Sequence, residues 1–124
     1  MEKNSSNQAY AFIDLSVSRD TIADLVAQKL GGVECKVCDI HEGCKEIARD
    51  YPMLAPDGLL ELAEDLAIKH TIIARSDKLK SPEVASRLRK VVDCMLGDFP
   101  DQGSVSSVFY MNENDIVVAR GNCC

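Results

Sequence analysis

The sequence predicts an α+β fold: a single domain of about four strands, two near the N-terminus and two in a C-terminal hairpin, covered by about four helices. Two observations support this class. Apolar residues have a period of two near the N-terminus and form β-prone runs near the C-terminus, and they recur at helical spacing in between. With 124 residues, 46% of them hydrophobic, the chain is long enough to bury one core. We therefore expect residues 1–8 to form a flexible leader and residues 9–124 to form one domain.

The first part of the chain predicts a strand, a helix and a second strand. Residues 9–17, "AYAFIDLSV", have a period of two, which predicts a strand with one buried face. Ser18 is a suitable N-cap for a helix over residues 19–30, which ends at a pair of glycines. From Val33 to Cys38 the period is again two, and this predicts the second strand.

Two further helices are predicted in the middle of the chain. Asp39 and Glu42 form a capping-box pattern for a short helix that ends at Pro52. A longer, central helix is predicted from Pro56, on an apolar stripe about four turns long that continues to Ile73. The stripe consists of Leu59, Leu62, Ala63, Leu66, Ala67, His70 and Ile73.

The last third predicts a helix and a hairpin. Ser81 and Pro82 are typical of a helix start, and the apolar stripe that follows them stops at residues 97–100, where glycine and proline interrupt it. Residues 105–111 and 116–119 are β-prone and are separated by Asn and Asp residues that tolerate turn geometry. These two runs therefore predict the C-terminal hairpin.

Composition excludes some classes of function. A net charge of −6 argues against direct binding to nucleic acid or to anionic membranes, since both require a positive surface. The N-terminal residues contain no apolar stretch of signal-peptide length, and no segment is long enough to cross a bilayer. We therefore expect a cytoplasmic protein whose six cysteines remain reduced.

The segment "VECKVCDIHEGC", residues 33–44, has a cysteine or histidine at every third position. These residues are Cys35, Cys38, His41 and Cys44. Thiolates and imidazole are ligands that zinc prefers, so one interpretation is a zinc-binding domain that uses these four residues, with Cys123 and Cys124 as a further half-site. The other interpretation is core packing without a cofactor, because residues three apart on a strand project from opposite faces and cysteine is often buried. We favour packing.

The charges are unevenly distributed along the chain. Residues 39–65 hold eight acids and two bases, whereas residues 75–90 hold six bases and two acids. We expect a polarised surface that binds a protein partner, or an anion near Ser81 at the start of the fourth helix. The candidate partner-binding residues are Arg75, Lys78, Lys80, Arg87, Arg89 and Lys90 on the basic side and Glu61, Glu64 and Asp65 on the acidic side.

Neither a nucleotide-binding loop nor a hydrolase or metalloprotease motif is present in the sequence, and we assign no catalytic residue. We expect a non-enzymatic protein that acts through protein–protein interaction, as a regulatory or inhibitory module whose partner is another protein. The alternatives are the zinc-binding domain and a small enzyme in which His70 or Asp14 titrates. Pairing of an exposed sheet edge would also allow a homodimer.

Overall fold

A five-stranded antiparallel sheet organises the molecule. The computed structural model describes residues 7–14, 17–31, 33–50, 56–65, 68–97, 106–112 and 115–119. The strands in these ranges are β1 (Gln8–Ile13), β2 (Glu34–Asp39), β3 (His70–Arg75), β4 (Ser106–Asn112) and β5 (Asp115–Ala119), and the helices are α1 (Arg19–Lys29), α2 (Ile40–Asp50), α3 (Pro56–Asp65) and α4 (Ser81–Gly97). The predicted α+β class is confirmed, whereas the prediction of about four strands is wrong by one. None of these helices has both the length and the apolar character needed to span a bilayer.

The order of the strands places β1 at the centre of the sheet. The order is β2-β3-β1-β4-β5, and all neighbours are antiparallel. The parallel strands β1 and β2 are joined through α1 and have β3 between them, while β3 and β4 are joined through α4 and have β1 between them. The core of the sheet is thus two interlocked split β-α-β units, to which β5 adds an edge strand.

Each face of the sheet has its own hydrophobic core. The first face carries Ala9, Ala11 and Ile13 of β1, and these pack with buried residues of α1 and α4. The second face carries Tyr10 and Phe12, which pack with α2 and with Leu60 of α3. The ring centroid of Phe109 in β4 lies 5.4 Å from that of Tyr10, in a tilted arrangement, and 5.3 Å from that of Phe12, in an edge-on arrangement.

The first strand differs from its prediction in both burial and length. All residues from Ala9 to Ile13 are buried, so the expectation of one buried face is wrong. The reason is the central position of β1 between two helical layers, which no pattern within the strand reports. The strand begins at Gln8, inside the predicted leader, and ends at Ile13 instead of Val17. Residues 1–6 of the leader lie outside the described residues.

The predicted central helix is the largest error. The helix α3 ends at Asp65, and His70, Ile72 and Ile73 belong to β3. The apolar stripe continued in register with a helical period, but this run is rich in β-branched residues, which favour strands. Hydrogen bonding to β1 on one side and to β2 on the other decides the conformation. This strand is the one that the prediction missed.

Local signals for helix starts and for the hairpin are confirmed. The side chain of Ser18 accepts a hydrogen bond from the backbone N–H of Thr21 at 3.2 Å and caps α1. Asp39 Oδ1 accepts one from the backbone N–H of Glu42 at 2.8 Å at the start of α2. The predicted hairpin is formed by β4 and β5.

Helix α2 approaches β3 closely at Gly43. A β-carbon added at Gly43 would overlap the side-chain atoms of Thr71, which is fully buried on β3. Within the described part of the chain, the hydroxyl of Thr71 has no hydrogen-bond partner. A larger side chain at position 43 would therefore push α2 away from the sheet. Close packing of the second core thus depends on glycine at this position.

We expect Gly43→Ala to lower the free energy of unfolding by about 1–2 kcal/mol, because the overlap with Thr71 costs up to about 3 kcal/mol and outweighs the gain of about 1 kcal/mol in helix propensity. Chemical denaturation would measure the change. The matched control is Gly97→Ala, at a helical glycine where an added β-carbon meets open space; this change should be neutral or stabilising. The double variant Gly43→Ala/Thr71→Ala should recover part of the loss. Equal stabilities for the two glycine variants would contradict the close-packing argument.

Candidate functional site

The four residues proposed as zinc ligands do not share one environment. Cys35 packs against the first-face core, whereas Cys44 belongs to the second-face core. Cys38 is fully buried on β2, with its Sγ 3.9 Å from the carbonyl oxygen of Thr71, and His41 is exposed on α2. Cys35 therefore lies on the opposite face of the sheet from Cys38 and Cys44, and His41 is in solvent. Within the described ranges, no group of three or more histidine, cysteine or acidic residues is arranged to hold a metal ion. Cys123 and Cys124 lie outside those ranges.

Burial makes the three cysteine thiols of residues 33–44 poor nucleophiles. It raises the pKa of Cys35 and of Cys44 to about 11. For Cys38, burial is again the main cause and the carboxylates of Glu46 and Glu42 add to it, so that its pKa is also about 11. Since the thiolate is the form that attacks electrophiles and binds metals, these environments favour packing over reactivity.

The predicted basic set is divided by the fold. Arg75 ends β3 on the second-face side, where its Nη2 lies 3.3 Å from Glu34 Oε2 of β2. Arg89 on α4 is held by Asp93, with Nη2 to Oδ1 at 2.5 Å and Nε to Oδ1 at 3.1 Å. The remaining members are exposed on α4 or in the loop before it: Lys78, Lys80, Arg87 and Lys90. These four residues, which we call the basic patch, have no ion-pair partner among the described residues.

The start of α4 is occupied by contacts within the molecule. The hydroxyl of Ser81 is buried and accepts a hydrogen bond from the backbone N–H of Gln8 at 3.1 Å. The hydroxyl of Ser76 accepts from the backbone N–H groups of Lys78 and Leu79 at 3.1 and 3.0 Å. Asn7 donates from Nδ2 to the Ser76 carbonyl at 2.6 Å. The Ser81 hydroxyl thus ties the start of α4 to β1, and the Ser76 hydroxyl shapes the loop, so both are engaged within the molecule at the predicted anion site.

The acidic set lies on the opposite side of the sheet. Glu61, Glu64 and Asp65 are exposed on α3, which packs through Leu60 against the second-face core. Helix α4 packs on the first face against β1 and β4. Arg87 and Lys90 of α4 and the acidic residues of α3 therefore lie on opposite sides of the sheet.

The two candidate titrating groups of an enzyme are poorly placed to exchange protons with a substrate. His70 Nε2 lies 3.0 Å from the carbonyl oxygen of Val17, which can only accept, so Nε2 carries the hydrogen. The unprotonated Nδ1 is buried and has no hydrogen-bond partner among the residues that the structure describes. Asp14 follows β1 and is half-buried, and its Oδ1 is likewise buried with no partner in those ranges. The expected location of His70 on a helix is wrong, because it begins β3.

Two features were missed from the sequence. The first is a polar cleft of about 290 Å³ between β2, β3 and α2, which shares Lys36 and Glu46 with a neighbouring cleft of about 590 Å³. Its cations face carboxylates, with Lys36 Nζ 2.5 Å from Glu46 Oε2, so it has no excess charge to select a ligand. The second is an apolar strip on β5 that consists of Ile116 and Val118, which are 48% and 55% exposed. The continuous apolar run from Ile116 to Ala119 in a predicted hairpin strand was the available signal for this strip.

No protein-family model, curated protein or solved structure matches this chain. Function must therefore be argued from the geometry above.

We expect Cys35, Cys38 and Cys44 to resist alkylation in the folded protein, because at about pH 8 only roughly one thiol in a thousand with a pKa near 11 is ionised. Cys94 is exposed and should react first. Peptide mass spectrometry after iodoacetamide treatment would measure each site, with and without a chelator. The zinc interpretation would be favoured if a chelator made Cys35, Cys38 and Cys44 reactive and if protein purified without a metal-affinity step contained stoichiometric zinc.

We expect His70 to make the protein less stable in mild acid. Burial lowers the pKa of His70 from its usual 6.5, against the opposing effects of the Val17 carbonyl and of Asp39. The unfolded chain then binds more protons than the folded one below about pH 6.5, so stability is lost as the pH falls through that window. The unfolding free energy of His70→Gln should depend less on pH between about 7.5 and 5.5 than that of the wild type. His41→Gln, at an exposed imidazole, is the matched control. Equal slopes for the wild type and His70→Gln would contradict this prediction.

Proposed function

We propose that this protein is a small, non-enzymatic binding module of the cytoplasm that acts through protein–protein interaction and regulates or inhibits its partner. The observation that carries the proposal is that exposed basic residues of α4 and exposed acidic residues of α3 lie on opposite sides of the sheet. The basic patch lies on and before α4, on the first face, and the acidic residues of α3 lie on the second face. A polarised surface of this kind orients a charged partner and selects against wrong ones.

Most of the exposed charges on α3 and α4 that carry this proposal form no ion pair with another described residue. Among the described residues, Arg87 and Lys90 have no ion-pair partner, and neither have Glu61 and Glu64. Arg89, by contrast, is paired with Asp93 and only 12% of its side chain is exposed. Exposed unpaired charges contribute little to folding stability, so they are available for recognition.

The active face in this proposal is the basic patch, which suits an acidic protein surface. The net charge of −6 disfavours nucleic acid or an anionic membrane as the direct ligand, because the acidic face would repel a polyanion. An inhibitory role follows if the partner's acidic surface is also where its own ligand binds.

The test is partner affinity after charge reversal. The partner is captured from cells on the immobilised chain, identified by mass spectrometry, purified and measured by interferometry at two salt concentrations. We expect Arg87→Glu/Lys90→Glu to weaken binding by about tenfold or more and to reduce its salt dependence, since both charges contribute to encounter. The matched control is Lys29→Glu/Lys45→Glu, which changes the net charge equally at exposed lysines of α1 and α2.

If the two double variants bind the partner equally well, the basic patch is not the recognition surface. Loss of binding in both would indicate a dependence on net charge alone, which would also contradict the proposal. Circular dichroism and thermal unfolding of each variant would establish that the fold is retained.

A further inference from the structure

The two edges of the sheet differ in chemistry. The edge strand β2 presents Glu34, Lys36 and Asp39 as exposed charged side chains, and the first two are held in ion pairs with Arg75 and Glu46. Charged side chains on an edge strand oppose pairing with another strand. The edge at β2 is therefore protected.

The other edge has less of this protection. Strand β5 pairs with β4 on one side, and no described strand pairs with its other side. Its one charged residue is Asp115 at the start, and from Ile116 to Ala119 it has neither a charged residue nor a proline. Ile116 lies opposite Met111 and Val118 lies opposite Phe109, so both exposed side chains are on the second face, beside a buried core.

The size of the apolar strip indicates which kind of partner it fits. Half-exposed Ile116 and Val118 together offer roughly 100 to 200 Å² of apolar surface, whereas a stable dimer buries about 800 Å² on each subunit. A five-residue strand with two side chains on one face matches an extended segment, which gains affinity from main-chain hydrogen bonds and uses alternate side chains for specificity.

Charge adds a second requirement. The strip lies on the same face as α3, whose exposed residues include Glu61, Glu64 and Asp65. The chain as a whole has a net charge of −6. Basic residues beside the apolar positions of the segment would therefore be attracted, and acidic ones repelled.

We propose that β5 binds an extended segment of a partner protein as a sixth strand, and that this segment has apolar residues at positions i and i+2 flanked by lysine or arginine. The proposal rests on the proposed function, protein–protein interaction, and assigns to it a second contact that is separate from the basic patch on α4. The apolar side chains of the segment pack against Ile116 and Val118, and its backbone pairs with the open side of β5.

The first experiment is a selection. A display library of random peptides of about seven residues, enough to span β5, is selected on the folded wild-type chain and, in parallel, on Ile116→Lys/Val118→Lys. We expect peptides with the apolar-x-apolar pattern and basic flanks to be enriched only on the wild type. Absence of that pattern, or its enrichment on both proteins, would overturn the proposal.

The second experiment measures the contact itself. The consensus peptide, labelled with fluorescein, should bind at least about tenfold more weakly to Ile116→Thr/Val118→Thr, a variant that keeps β-branched residues at both positions. Ser86→Thr on the exposed face of α4 is the control and should bind as the wild type does. Amide hydrogen exchange of residues 115–119 should slow when the peptide binds. Binding without added protection there would contradict strand addition.

A second copy of the chain is the competing occupant. Sedimentation that depends on concentration, and that Ile116→Lys/Val118→Lys abolishes, would overturn the peptide proposal in favour of a homodimer through β5. The experiments distinguish failure of one proposal from failure of the other. If the peptide binds at β5 but the partner binds Arg87→Glu/Lys90→Glu as tightly as the wild type, the charge-based function is wrong and strand addition stands. If the partner depends on the basic patch but no peptide binds at β5, only strand addition is wrong.

Discussion

Strand β1 is buried on both faces, and the rest of the fold depends on this constraint. Its odd-numbered residues from Ala9 to Ile13 belong to the core beneath α1 and α4, and Tyr10 and Phe12 belong to the core beneath α2 and α3. The small side chains of Ala9 and Ala11 allow helices to approach the first face closely, while the aromatic rings fill the second. One strand thus fixes the spacing of both helical layers. The contact of Gly43 with Thr71 serves the same end, since α2 can close the second core only where it lacks a side chain.

The parts of the fold that could be predicted are those that local chemistry decides. The Ser18 and Asp39 caps use side chains three residues from their backbone partners, and the hairpin joins strands that are neighbours in sequence. The strand from His70 to Arg75 could not be found in this way. Its residues continue a helical stripe, and what makes them a strand is pairing with β1 and β2, which precede it by about sixty and about thirty-five residues. The two-sided burial of β1 has the same origin.

In the candidate surfaces, too, contacts between residues close in sequence could be predicted and contacts that depend on the fold could not. Pairing of Arg89 with Asp93 follows from a spacing of four on a helix and could have been expected. Pairing of Arg75 with Glu34 depends on strand register, so its removal from the basic set required the structure. For the cysteines, the argument that residues three apart on a strand face opposite ways did apply, because Cys35 and Cys38 contact different sides of the sheet. The segregation of the remaining charges came from the fold, since it required α3 and α4 to lie on opposite faces.

The chemistry of the two edge strands is best explained by asking what the fold itself requires of them. Lys36 is exposed and its ion pair with Glu46 is partly solvated, so it adds little to stability, but it makes β2 a poor template for another strand. Ile116 and Val118 are also exposed by about half, so the core does not require an apolar residue at either position, and a lysine there would protect β5 as Lys36 protects β2. An unprotected edge is a liability for a chain that acts alone, because it can pair with any extended segment. Such an edge is consistent with a chain that functions in a complex, where the exposed strip and the open side of β5 are covered by the partner.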